Sequence, residues 1–354
     1  EIYTMVVVGS VMCIRDRYMI ALDNGDPTRE SDFRDELYEL DAPFEGEGNA
    51  IFKSINRLSS IIWGDKNNAI AIDYWVKNRN EKTYLFNPSN VNQEPKIIYD
   101  RNYQDRYSDP GSFLTERNMY NKNILKIESN SLILIGDGYS EKGQFPFIDK
   151  LSLKDFSSNR IYNSSYTDKL EDILDFDIKK NQLLVRIESK SDYPNYYFKS
   201  LNGRRINKIT DFKNPFDNLN QVDKEVISYK RNDGVELSGV LYLPIGYNKA
   251  SKEKMPMILW AYPREFKDKN SASQNLNNPN EFTNPYYGSM VYWVTKGYVV
   301  LDDASFPIIG EDMNEPNDDF RSQLVENARA AIDAVDKLGL SLIHISEPTR
   351  QSLI

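Results

Sequence analysis

The sequence predicts a mixed fold: a partial, all-β propeller followed by the opening of an α/β sheet. Three observations carry this. From about Tyr18 to Phe216 the chain is made of short alternating apolar runs, rich in β-branched and aromatic residues and separated by Asn, Asp, Gly and Ser turns. Two of these stretches each hold four strands in about 40 residues, the size of a propeller blade. After Asp217 the apolar runs become continuous and a long helical periodicity follows, as in sheets covered on both faces by helices.

The elements follow in order. Ser60 to Trp63, Ala69 to Tyr74, Lys82 to Asn87 and Pro95 to Tyr99 form the first repeat. Ile173 to Asp177, Leu183 to Glu188, Tyr196 to Ser200 and Ile206 to Phe212 form the second, and Ser131 to Ile135 reads as a further strand between them. At this size the segment holds roughly four blades. Glu225 to Lys230 and Glu236 to Leu243 flank Asn232-Asp-Gly234, a hairpin-type turn. Pro256 to Tyr262 and Tyr298 to Asp302 are the continuous apolar runs. A helix is predicted over Asp318 to Leu338, capped by Asn317 or Asp318 and ended by Gly339, with Phe320, Leu324, Ala328, Ile332 and Val335 on one face.

Composition narrows the chemistry. The 354 residues carry 44 Lys and Arg against 53 Asp and Glu, a net charge of -9, which offers no excess cation to displace counterions from a nucleic acid. One Cys (Cys13) cannot form an internal disulfide, and one His (His344) cannot build a multi-histidine metal site. The acidic cluster Glu311, Asp312, Glu315, Asp318 and Asp319 does not fit a calcium loop. With Asp312 as position one, Asn317 and Gln323 stand where that loop needs Gly and Glu. No metal, cofactor or nucleic-acid partner is expected.

The ends read differently from the rest. Residues 5 to 14 are apolar, but Arg15 and Arg17 follow the run instead of preceding it, and ten residues are too few for a helical span. Neither a signal peptide nor a membrane span is expected there. Val11-Met-Cys-Ile-Arg-Asp-Arg17 and Ser341-Leu-Ile-His-Ile-Ser-Glu-Pro-Thr-Arg350 resemble translated sequencing-adapter DNA. The expected organisation is therefore artefact over 1–17, partial propeller over 18–216, α/β domain over 217–340, and artefact over 341–354.

Glu39-Leu-Asp-Ala-Pro-Phe44, Lys82-Thr-Tyr-Leu-Phe-Asn-Pro-Ser89, Tyr107-Ser-Asp-Pro-Gly-Ser112, Pro194-Asn-Tyr-Tyr197, Leu259-Trp-Ala-Tyr-Pro-Arg-Glu-Phe-Lys267, Pro307-Ile-Ile-Gly-Glu311 and Glu315-Pro-Asn-Asp318 occur in this order. Together they resemble the prolyl oligopeptidase-like serine peptidases, and most closely the glutamyl endopeptidase branch. The resemblance implies a propeller followed by the N-terminal part of an α/β-hydrolase domain, a Ser-Asp-His triad, no cofactor, and a peptide or protein substrate cut after glutamate. It also implies that the nucleophile elbow, G-x-S-x-G, comes soon after the helix that ends at Leu338, with Asp and His later. No G-x-S-x-G occurs in this chain, so the chain is expected to be an inactive fragment of its parent. The alternatives are a non-catalytic propeller binding module, or an exopeptidase or esterase on the same fold.

Two site residues follow from the resemblance. Tyr262 matches the Tyr whose hydroxyl helps form the oxyanion hole. Read without the resemblance it is a strand-end Tyr that packs its ring and wets its hydroxyl. Arg264 lies two residues on and could receive a substrate glutamate bidentately, or simply pair with Glu265. Asp302 and Asp303, at the end of the second apolar run, are read as turn and cap residues. Trp63, Trp75, Trp260 and Trp293 are read as core.

Overall fold

A computed structural model describes residues 15–340 apart from Asn220, Lys252, Asp312 and Met313. The expectations for residues 1–14 and 341–354 lie outside these residues. The first sheet is β1 (Arg15–Ala21), β2 (Asp35–Asp41) and β3 (Asn49–Ser54), paired in that order. The boundary expected at residue 17 falls inside it. Arg15–Arg17 pairs with Glu39–Asp41, and Arg17 reaches Glu39 at 2.7 Å while lying over the Trp63 ring.

The second sheet holds β4 (Arg57–Trp63), β5 (Ala69–Trp75), β6 (Asn80–Phe86) and β7 (Lys96–Asn102) as an antiparallel meander. The predicted repeat is therefore present. Its central strand β5 shows why the run is apolar throughout. Ala69 and Ala71 face a core with Leu37, Phe52, Trp63 and Phe86, whereas Ile70 faces the opposite one, with Leu125, Leu132, Leu134 and Leu151. Side chains alternate across a strand, so a sheet stacked on both faces has no polar side.

The third sheet is less regular. It takes β8 (Ser112–Phe113), β11 (Ser131–Gly136), β14 (Phe147–Ser152) and β15 (Ser158–Asn163). Two ribbons interrupt it, β9 (Thr115–Arg117) with β10 (Asn123–Leu125), and β12 (Tyr139–Ser140) with β13 (Gly143–Gln144). The fourth sheet, β16 (Leu170–Asp177), β17 (Gln182–Glu188), β18 (Asn195–Ser200) and β19 (Ile206–Lys208), matches the second predicted repeat. Leu183, Val185 and Ile187 are its buried alternate positions.

The α/β sheet contains β20 (Asp223–Lys230), β21 (Glu236–Leu243), β22 (Met257–Phe266) and β23 (Val299–Ile309) in the order β20-β21-β23-β22. The hairpin turn closes where expected, with Gly234 at a φ of 88°. On one face Leu241, Leu243, Val299 and Leu301 pack beneath α2 (Phe320–Lys337) through Ala331 and Val335. On the other, Val240, Tyr242 and Val300 meet Val291 and Val294 of the 3-10 helix Met290–Lys296. A short α1 (Lys269–Ala272) follows β22. The predicted long helix is thus found, starting two residues later than Asp318 because Pro316–Asp319 forms a 3-10 turn in which Asp318 accepts the Glu315 N–H.

Two compact units emerge. One holds the described residues up to Gly136 together with Phe147–Asn163; the other holds Asp137–Pro146 and the described residues from Ser164 on. Sheet type changes after Phe216, and the β16–β19 blade packs in the same unit as the α/β sheet.

Candidate functional site

The site is built on β22, an edge strand whose sheet neighbour is β23. The two are parallel, and ligands of such sheets gather at the C-terminal ends of the strands. Met257, Leu259 and Ala261 turn toward the α2 core, while Ile258 turns toward the opposite one. Alternation therefore puts Tyr262 and Arg264 together on the face away from α2. Tyr262 is 78% exposed. Its hydroxyl has no hydrogen-bond partner among the described residues, so the ring is not a packed core element.

Arg264 is also exposed and forms no ion pair among the described residues. Glu265, the neighbour with which the alternative reading would pair it, accepts from Asn317 Nδ2 at 3.3 Å. The opposing charge acting on Arg264 comes from Asp303. Burial pushes the Asp303 carboxyl up, and Arg264 pulls it back down. Burial likewise raises Asp302; the Asp303 N–H that it accepts at 3.1 Å lowers it, the Asp303 charge raises it and Lys224 lowers it.

Asp302 and Asp303 are not strand-end turn residues. They form a bulge within β23, where Leu259 pairs with Leu301 but Ala261 pairs with Ala304, so two residues stand against Trp260. Asp303 takes a φ of 45° there, an uncommon conformation for a residue other than glycine. Gly239 makes room, since a Cβ on it would lie 2.9 Å from Leu301 Cδ1 and 3.3 Å from Ala304 Cα. One extra residue reverses side-chain facing downstream. Ala304 and Phe306 consequently turn to the α2 core, and Ser305 turns to the site, in register with Tyr262.

That reversal completes a polar row which sequence reasoning missed. Ser305 and Ser238 hydroxyls lie 3.3 Å apart, and Asn277 Nδ2 donates to Ser238 Oγ at 3.2 Å. Serine at a strand position carries no sequence signal, and the row exists only in the bulged register. Behind it, buried Asn327 of α2 donates to the Pro307 carbonyl at 2.9 Å and accepts from Arg231 at 2.9 Å. Pro307 is the register partner of Arg264.

Of the acidic cluster, Glu311 faces Lys269 at 3.7 Å and Glu315 faces Lys267 at 3.6 Å, while Asp312 lies outside the described residues. Among the described residues no group of three His, Cys, Asp or Glu side chains is placed to hold a metal. No helix among them is long and apolar enough to cross a membrane. Trp63 is core as read, whereas Trp260 and Trp293 are about half exposed.

Propeller-type blades followed by an α/β sheet define the architecture of the prolyl oligopeptidase-type peptidases, and comparison with solved structures agrees. Oligopeptidase B from Leishmania major superimposes with a TM-score of 0.53 at 9% identity, over 96% of this chain and 51% of its own. A prolyl endopeptidase structure does so with a TM-score of 0.52 at 12% identity, over 92% and 50%. No family model matches. In sequence, the chain is 33% identical over 335 residues to a probable chloroplastic glutamyl endopeptidase of Oryza sativa subsp. japonica, covering 90% of this chain and 36% of that protein. The chain is therefore similar in sequence to that probable glutamyl endopeptidase and shares the fold of the prolyl oligopeptidase-type peptidases, and it spans well under half the length of the relative it matches.

Proposed function

We propose that the parent protein is a serine endopeptidase that hydrolyses peptide bonds through an acyl-enzyme, after glutamate, and that β22 is its reaction edge. The observation that carries this is the pair Tyr262 and Arg264, both exposed and two residues apart on one face of β22. Positions two apart on a strand are about 6.6 Å apart, comparable to the reach from a glutamate main-chain carbonyl to its own carboxylate. Tyr262 then aims a hydroxyl donor at the oxyanion that develops during acyl transfer, and Arg264 meets the side-chain carboxylate as a planar bidentate donor.

The chain path supports the reading. Leu340, just past α2, accepts the Met255 N–H at 3.0 Å, which brings the backbone back to the start of β22. In the family the nucleophile elbow follows soon after this helix, so the strand bearing it would extend along β22 and present its Ser near Tyr262. The substrate is a peptide, and no cofactor enters.

The test is hydrolysis of N-terminally blocked peptides by the full-length parent protein, with and without a serine-directed phosphonate. Cleavage after Glu that the phosphonate abolishes is the expected result. Cleavage only of peptides with a free amino terminus would make it an aminopeptidase, and binding without hydrolysis would make it a binding module.

A further inference from the structure

Residues 277–283 run between the β16–β19 blade and the β20–β23 sheet, and their side chains and backbone are tied alternately to the two. Toward the blade, Asn280 Nδ2 donates to the Thr167 carbonyl, just ahead of β16, at 3.0 Å, and beside it Asn278 Nδ2 donates to Gln144 Oε1 of the β12–β13 ribbon at 3.1 Å. The Phe282 ring meets Tyr193 edge to face at 5.2 Å. Toward the sheet, Asn277 reaches Ser238, Lys224 Nζ donates to the Glu281 carbonyl at 2.7 Å, and Thr283 reaches the Tyr242 hydroxyl at 3.3 Å. Beneath this segment the Glu188 side chain, 4% exposed, accepts the Phe282 backbone N–H.

We propose that residues 277–283 are a strap holding the blade to the sheet face that carries Tyr262, and that ionisation of the Glu188 carboxyl buried under it releases the strap. The groups facing Glu188 come from four elements. Arg186 on β17 lies 3.3 Å away and also holds Asp172 of β16 at 2.5 Å. Glu281 and the Phe282 N–H face it from the strap, and Lys224 from β20. Burial outweighs Arg186 and the Phe282 N–H and pushes Glu188 up to about 7 from 4.5, with Asp172 and Glu281 adding to the rise. Burial also lowers Lys224, weakening the cation it offers.

The sign follows from linkage. A released Glu188 is hydrated and regains an ordinary carboxylate affinity for protons, so the closed strap favours the protonated form. Closure is complete at low pH and weakens as pH rises through about 5 to 7, then levels off. A consequence for peptide access rests on the peptidase reading; the strap itself does not.

Hydrogen exchange of peptides covering 277–283, divided by the intrinsic chemical rate at each pH, reads the opening directly. Between pH 5 and 8 the corrected opening is expected to rise by tens-fold, the greater part on a logarithmic scale of the roughly 300-fold that full proton linkage gives. Glu188→Gln stays at the low-pH level throughout. Glu281→Gln, which removes a like charge from an exposed position, makes the opening level off at lower pH. Identical pH dependence in the parent chain and Glu188→Gln overturns the proposal, and if Glu188→Gln does not fold, an unmoved profile in Glu281→Gln does so.

Discussion

Asn327 is the polar residue on which the geometry behind the site most depends, and Asn327→Leu removes it with little change of volume. The side chain is 0% exposed, on the face of α2 that packs against β23. Two hydrogen bonds disappear, the 2.9 Å bond to the Pro307 carbonyl and the 2.9 Å bond from Arg231. A neutral bond is worth about 1 kcal/mol and one to a charged group about 1.5 to 3 kcal/mol. The Pro307 carbonyl keeps Arg231 at 3.2 Å, and Leu gains some apolar burial, so the net loss is about 2–3 kcal/mol. In a unit of this size that lowers Tm by roughly 4–12 °C. Urea denaturation read by tryptophan fluorescence measures it, with Arg231→Met and the double variant completing a cycle. A loss below about 0.5 kcal/mol, or strict additivity in the cycle, refutes the reasoning, because residues sharing one network must couple.

Other outcomes follow from the same geometry. Lys199 and Glu171 form a buried pair at 2.8 Å; Lys199→Met removes the cation from the buried carboxylate and should cost about 3–5 kcal/mol, most of it recovered when Glu171→Leu is added, as thermal melts would reveal. In the full-length parent, Arg264→Gln should lower kcat/KM for Glu substrates while sparing Gln substrates; an equal fall for both would leave Arg264 without a part in specificity. The chain as it stands, with neither a G-x-S-x-G elbow nor a His in residues 18–340, should take up no serine-directed phosphonate, and stoichiometric labelling of any Ser in that range would contradict the triad order.

What the sequence shows of this fold depends on how locally each feature is determined. The blade β4–β7 and the hairpin at Gly234 are legible because alternation and turn chemistry act over a few residues. β23 is only half legible. Its apolar run breaks at Asp302 and Asp303, and nothing local shows that the strand resumes after a bulge to end at Ile309. The third sheet is obscured by its two-residue strand β8 and by two inserted ribbons. Helix α2 is plain from its period, yet Asn327 sits at its buried centre, where periodicity alone would place an apolar side chain. Tyr262 and Arg264 enter as candidates only through resemblance, and the meeting of Ser238, Ser305 and Asn277 is legible by neither route, since it depends on register across three elements.

The claim that β22 is the reaction edge is tested most directly by Tyr262→Phe in the full-length parent, with kcat and KM determined separately on a blocked Glu peptide. Loss of a donor used mainly in the transition state should lower kcat by roughly ten-fold to a thousand-fold and leave KM nearly unaltered. A folded variant whose kcat and KM both match the parent would contradict the account.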